Sequence, residues 1–449
     1  IDIEEMLPGA KTAITLLRTR PKNVDNKRED YTFEAIRMGT EYHINSVAYD
    51  LTRDIETYGF RTIMTIEASG SHCDRMDASK VNAQIATDLM GKADCEWQMN
   101  TVFTRKQMPE RALDLSAEFS AEKLPTEYRP SAKLTSEIKS FAKELGADLA
   151  GVSSVDRLDD IAEQLKPVYD GETYLQAKDN SIRFKNWDPQ IIEEKLKVFT
   201  PKDYMPNAKS VLVIGLRYHK KVLEFATKPP AEAVGPYAYQ SYITQWHGRL
   251  IASQLIQKLN HLGHNAILTG DLLGIGSAIA SPRGFVEDLY SNRFAAVAAG
   301  LGTISKSGRV VTDEFGTRQR FLAIVTDAEL DADAVLALQP ELCASCDDRC
   351  LKACPTTAMD SKQIEFSCEG VKFSFNHRDI NRCDWSKRYA ISGDSGFKYL
   401  GSPLDEIPAG EVTAETLAEA LKKHDPVKKY RPVSCEPCMI KCPYSSDQD

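Results

Sequence analysis

Long apolar runs, a positive charge balance and an even spread of cysteines are all missing from this 449-residue chain. No window approaches the ~18 consecutive apolar residues of a membrane-spanning helix, so no span is expected. The net charge of −9 excludes a generally basic nucleic-acid binder, although a local basic face survives that average. Eleven cysteines are too few over this length, and odd in number, for a disulfide-rich secreted scaffold. Low-complexity sequence is absent. Hydrophobic content of 42%, with aromatic residues spread along the chain, excludes general disorder. At roughly 100–200 residues per domain, the length implies two to four domains. The chain starts at Ile1 inside an ordered-looking segment and is expected to be processed or truncated there, a removed leader staying open.

An internal repeat is present. Leu7-Pro8-Gly9-Ala10-Lys11 before TAITLL resembles Met205-Pro206-Asn207-Ala208-Lys209 before SVLVIGL. Residues 40–65 also align without gaps on 244–269: Thr40 meets Thr244, His43 meets His247, Gly59 meets Gly263 and Thr65 meets Thr269. The offset is 198 residues in the first block and 204 in the second. Each copy reads as strand, loop, amphipathic helix, glycine turn and strand, which implies a sheet with helical crossovers. VLVIGL (211–216) and AILTG (266–270) are buried-type strands, and 251–262 is a helix with Gly263 as its C-cap. Residues 134–155 supply a preceding helix and strand. The charged, proline-punctuated stretch 156–204 is expected to be a surface insertion.

Nine of the eleven cysteines fall between Cys343 and Cys442. One run is Cys343-Ala-Ser-Cys346-Asp-Asp-Arg-Cys350-Leu-Lys-Ala-Cys354-Pro355. The second is Cys435-Glu-Pro-Cys438-Met-Ile-Lys-Cys442-Pro443, with Cys383 between the runs. Thiolates closely spaced on a loop reach three corners of a cubane, and a fourth, just before proline, crosses to a second cluster. That rule assigns Cys343, Cys346, Cys350 and Cys442 to one 4Fe–4S cluster and Cys354, Cys383, Cys435 and Cys438 to another. Two departures stand out: three residues separate Cys346 from Cys350 where two are usual, and Cys383 replaces a compact leading cysteine. Structural zinc is the competing reading, since paired C-x2-C also suits tetrahedral sites. Cys73, Cys95 and Cys368 are left as bystanders.

Ahead of the cysteines stand Ala299-Gly300-Leu301-Gly302, Ser305-Lys306-Ser307-Gly308 and Glu314-Phe315-Gly316. With two ferredoxin-type clusters following, the arrangement over 134–449 resembles the reductive dehalogenase and epoxyqueuosine reductase superfamily. The repeat brings it nearer the non-respiratory dehalogenases with a duplicated N-terminal unit. The resemblance implies an α/β (α+β) protein in three parts. These are a degenerate copy over 1–130, a nitroreductase-like corrinoid-binding domain over 131–328, and a ferredoxin-like domain with two 4Fe–4S clusters over 329–449. It also implies a base-off cobalamin whose cobalt cycles through Co(I). No D-x-H-x-x-G signature is present, so no histidine need ligate cobalt. Gly300, Gly302, Ser305, Lys306, Ser307 and Gly308 would let the backbone approach the macrocycle closely.

Members of this type pair a proton-donating tyrosine with a nearby Arg or Lys. Arg320, after the E-F-G segment, matches that arginine. The column of the acid falls at Gln245, which cannot donate a proton at neutral pH. Tyr242, one helical turn earlier, is the candidate donor, with Tyr239 and Tyr237 close by. Glu41 occupies the column in the first copy. His247 and His219 are expected to be structural or at the surface, and the lysine-rich bits at 219–221 and 421–431 solvated. The leading expectation is a cytoplasmic corrinoid and iron–sulfur oxidoreductase that removes halide from an organohalide, an aromatic one in particular. An exported, membrane-associated enzyme that has lost a twin-Arg leader is the variant of that reading. Partners are a small-molecule substrate and an external ferredoxin, flavodoxin or reductase, with no nucleic acid. The alternatives are a tRNA-modifying epoxide reductase and a corrinoid-reducing electron-transfer protein.

Overall fold

The structure is a computed structural model. It describes residues 7–19, 44–64, 97–104, 131–178, 190–223, 236–274, 278–281, 284–287, 291–337, 341–389, 410–423 and 437–446. The chain divides into two compact units, 1–128 with 256–263, and 129–255 with 264–449. Among the described residues no helix is long and apolar enough to cross a membrane.

In the first unit β1 (Thr12–Thr19) leads to helix α1 (44–57), β2 (Thr62–Met64) and β3 (Trp97–Thr104). The strand order is β1-β3-β2, with β3 antiparallel to both neighbours. Ile14 and Leu16 of β1 pack with Ala48, Leu51 and Ile55, which recur at helical spacing along α1. Gly59, at φ +83°, ends the helix, as its backbone conformation suits glycine.

The second unit begins with α2 (Ser131–Glu144), β4 (Leu149–Ser154) and α3 (Val155–Tyr169). A hairpin of β5 (Thr173–Lys178) and β6 (Gln190–Lys195) follows. Next come β7 (Ser210–Arg217), α4 (Pro236–His261), which belongs to this unit as far as Leu255, and β8 (Ala266–Leu268), then a hairpin of β9 (Ala278–Ser281) and β10 (Gly284–Glu287). A short helix α5 (Arg293–Ala298) precedes β11 (Thr303–Ile304), β12 (Val310–Val311) and β13 (Gln319–Thr326). The main sheet runs β4-β7-β13-β8, every neighbouring pair antiparallel. The expected helical crossover does join β7 to β8. They are not adjacent, however, because β13 lies between them, so the unit is a split β-α-β.

The two sheets share one register. Thr104 of β3 is flanked by Thr12 and Thr62, and Thr326 of β13 by Ser210 and Ala266. These flanking residues are the ones that the two sequence offsets, 198 and 204, bring together. The turn before the first strand repeats as well, with Ala10 N donating to Leu7 O at 3.0 Å and Ala208 N to Met205 O at 2.9 Å.

Alternation along the strands sorts the layers. Val211, Val213, Phe321, Ala323 and Val325 share a core with α3 and α5. Leu216 and Leu322, on the other face, meet α4, where a Cβ at Gly248 would press on both leucines. Residues 156–169 are therefore not part of the surface insertion expected from the charge of 156–204. Leu158, Ile161, Ala162, Leu165 and Tyr169 of α3 are buried at helical spacing, and the charged residues take the outer face. Pro167 falls in the last turn, where it removes the hydrogen bond to the Glu163 carbonyl but leaves little helix beyond it to be displaced.

The cysteine-rich residues contribute β14 (Met359–Cys368), β15 (Val371–Arg378), α6 (Ile380–Tyr389) and α7 (Ala414–Lys423). Phe366, Phe373 and Phe375 of the β14–β15 hairpin pack on Phe294 of α5, with ring centroids 5.2 Å apart for Phe294 and Phe366. Residues 131–328 and 329–449 thus share one hydrophobic core.

Candidate functional site

The first cysteine run is built on two short helical turns, Glu341–Ser345 and Arg349–Lys352. Between them Asp347 and Asp348 both adopt the left-handed conformation, at φ 53° and 54°. Aspartate tolerates that region better than most residues, and the pair absorbs the extra residue between Cys346 and Cys350. Cys438 lies in the turn Pro437–Ile440, and Pro443 opens the last turn right after Cys442. Burial first, then the neighbouring Cys438, Cys442, Cys346 and Cys343, push the Cys350 thiol up to about 12. Burial pushes Cys442 up to about 11, with Cys343 adding to it. Five cysteines therefore share one neighbourhood. Cys354 packs beside Cys350 and Cys438.

Cys383 is tied to the Cys354 loop through the backbone. Thr356 Oγ1 donates to Arg382 O at 2.8 Å, and Asp379 N, at the foot of α6, to Ala358 O at 2.7 Å. Ala358 N in turn donates to Cys354 Sγ at 3.2 Å. Cys435, Cys73 and Cys95 lie outside the described residues. Cys368 stands apart on β14, buried in the main core, its thiol raised to about 11 by that burial.

Hydrogen-bond donors are aimed at the remaining sulfurs. Arg309 Nη2 reaches Cys438 Sγ at 3.1 Å, and Arg378 Nη1 reaches Cys383 Sγ at 3.5 Å. The Lys306 amide donates to Cys343, and the Tyr444 amide and Thr317 hydroxyl to Cys442. Among the described residues no three His, Cys, Asp or Glu side chains converge closely enough for a single metal ion. An all-sulfur donor set in a buried neighbourhood, with N–H groups pointing at the sulfurs, fits a cubane cluster.

The glycine and serine turns are closely packed. A Cβ at Gly300 would collide with Ala334 O, and one at Gly302 with Val311 O. The Cβ side of both glycines is closely approached by the protein's own backbone. Gly308, at φ +76°, is packed against the Arg293 guanidinium. Ser305 and Ser307 are buried and bonded to each other at 3.0 Å. Lys306 pairs with Asp348 at 2.7 Å. These residues form a strut that meets the cysteine run. Gly316 of the E-F-G segment has the same kind of role: at φ +59°, its Cβ position is filled by Tyr444 O, two residues past Cys442.

Arg320 is buried on the α4 face of β13, and its Nε donates to Tyr218 Oη at 2.7 Å. The guanidinium carbon lies 5.4 Å from the centroid of the Tyr218 ring. Tyr218 is fully buried and packs with Met439, which stands between Cys438 and Cys442. Gln245 is buried one helical turn before Gly248, as Arg320 precedes Leu322 by two residues on its strand face. Both residues thus belong to the same end of the helix–sheet layer. The side chains of Tyr242, Tyr239 and Tyr237 lie outside the described residues, as does Glu41. His219 and His247 are exposed.

Sequence reasoning missed Tyr218. Its signal was its place just past β7, two residues beyond Leu216, the register partner of Arg320.

No family model matches the chain. Its relatives are epoxyqueuosine reductases and reductive dehalogenases. Epoxyqueuosine reductase of Bacillus subtilis (strain 168) is 25% identical over 228 residues, 51% of this chain and 52% of the relative. Tetrachloroethene reductive dehalogenase of Sulfurospirillum multivorans is 23% identical over 279 residues, 61% of this chain and 49% of the relative. The chain spans about half the length of the curated relatives it matches. Among solved structures, a reductive dehalogenase described in terms of B12-dependent dehalogenation covers 93% of this chain and 69% of its own. Its TM-score is 0.34 and its identity 14%.

Proposed function

We propose that this chain is an oxidoreductase, a corrinoid-dependent reductive dehalogenase acting on an organohalide, aromatic ones first. Cys343, Cys346, Cys350 and Cys442 would hold one 4Fe–4S cluster, and Cys354, Cys383, Cys435 and Cys438 a second. Such clusters supply electrons one at a time from an external one-electron donor. A corrinoid belongs to this reading through the family resemblance, and none of Gly300, Gly302, Ser305, Ser307 or Gly308 is assigned to it.

The observation that carries the reading is the buried Arg320–Tyr218 pair beside the last cysteine run. The overall change is R–X + 2 e− + H+ → R–H + X−. Tyr218 Oη–H is suited to give the proton to carbon as the carbon–halogen bond breaks. The Arg320 guanidinium stands where the charge left on that oxygen forms, and it is fixed there by the Tyr218 ring. Burial of both residues keeps bulk water from competing for the proton. An epoxide reductase would use an acid in the Gln245 column, and a buried amide supplies none.

Anaerobic reconstitution with iron, sulfide and hydroxocobalamin, followed by halide release from a panel of halophenols and haloalkenes, tests the reading. Y218F and R320Q are expected to lower turnover by 100-fold or more, about the contribution of a general acid, while the cluster EPR signals stay intact. Wild-type protein that binds iron and corrinoid but releases no halide sinks the dehalogenase assignment. Full turnover in Y218F removes the tyrosine from the site.

A further inference from the structure

The turn between β11 and β12 serves both cysteine sets, and serves them unequally. To Cys343 it gives the neutral backbone amide of Lys306, whose side-chain charge is balanced by Asp348 at 2.7 Å. To Cys438 it gives the guanidinium of Arg309, which is buried at 3% exposure. A second buried arginine, Arg378, donates to Cys383 from the end of β15. Cys442, assigned to the other set, takes an amide and a hydroxyl, and Arg309 acts on it through space.

We propose that Arg309 and Arg378 are positioning residues that hold the cluster of Cys354, Cys383, Cys435 and Cys438 at a higher reduction potential than its neighbour. The inference rests on the two-cluster reading above. One-electron reduction takes the 4Fe–4S core from 2+ to 1+ and spreads the added negative charge over the sulfurs. Hydrogen bonds to sulfur then strengthen, and a charged donor gains more than a neutral one, most of all where water is excluded. Cys383 and Cys438 of one set accept from guanidinium groups, and Cys343 and Cys442 of the other set from neutral donors. An electron delivered by a low-potential one-electron donor therefore settles on the Cys354 set. The Cys343 set is the relay that passes it on.

EPR-monitored potentiometric titration of the reconstituted full chain, with dithionite as reductant, tests this. Wild type is expected to show two potentials. R378Q should lower the higher one alone, and R309Q should lower it with a smaller fall in the other. Each variant is expected to change the reduction equilibrium at least tenfold, about 59 mV for one electron. R309K and R378K, which keep the charge, should recover most of the fall, and they are read in place of any glutamine variant that does not hold its full complement of iron. Potentials that stay unchanged, or fall equally for both clusters, overturn the proposal. A wild-type chain that takes up no iron removes the cluster reading itself, before any variant is compared.

Discussion

Gly316 shows how much of this site rests on single backbone positions. Its Cβ position is filled by the Tyr444 carbonyl, and its φ of +59° costs a non-glycine residue about 1–2 kcal/mol before any overlap is counted. G316A is expected to lower the melting temperature and the iron bound per chain together, because Tyr444 follows Cys442 directly after Pro443. Wild-type iron loading in G316A would mean that the last cysteine run does not depend on this contact. In the sequence Gly316 was visible as part of a motif, but its purpose was not, since the carbonyl it admits is 128 residues away. Tyr218 was hidden for the same reason: 102 residues separate it from Arg320, and only the β7–β13 register brings them together. The cysteines were legible because their chemistry is written in local spacing. The departure between Cys346 and Cys350 became intelligible only with the backbone angles of Asp347 and Asp348.

At the level of elements, α3 is where pattern and charge gave opposite signals and the pattern won. Its buried residues follow helical spacing, yet charged residues surround them and Pro167 sits inside. L165A, at a fully buried position in the main core, should destabilise the protein by about 2–5 kcal/mol in denaturant unfolding. A cost below 1 kcal/mol would return α3 to the surface. The strands flanking α1 and α4 were readable because short apolar runs bounded by turns carry their own signal. The insertion of β3 and β13 between the flanking strands was not, because strand adjacency is decided by pairing across long stretches of chain. The turns at Gly300 and Gly302 were legible as turns, but the Ala334 and Val311 carbonyls packed on their Cβ sides were not, because only the fold brings them there.

For the molecule as a whole, His377 ties together elements distant in the chain. Its ring lies 3.4 Å from Glu172, before β5, and 3.0 Å from Asp360 of β14. It also stacks on Tyr169 of α3. The Glu172 hydrogen bond first, and then Asp360, raise its pKa above the usual 6.5 against the opposing effect of burial. A raised histidine pKa contributes stability that is fully present below the unfolded value and lost as pH rises through the folded one. The melting-temperature advantage of wild type over H377Q should therefore be largest below about pH 6.5 and fade as pH rises above it. Calorimetry of both proteins across that range checks this, and a pH-independent difference would assign His377 a packing role only.

The register shared by β1-β3-β2 and β7-β13-β8 has a kinetic side. In each sheet the middle strand is the last of the three to leave the ribosome. Until β13 is made, β7 can pair only with β4, and β8 has no partner within the sheet. A growing chain thus carries open strand edges through the synthesis of α5 and its hairpins. Closure has to wait for contacts of high sequence separation, the kind that slow folding and favour association between unfinished chains.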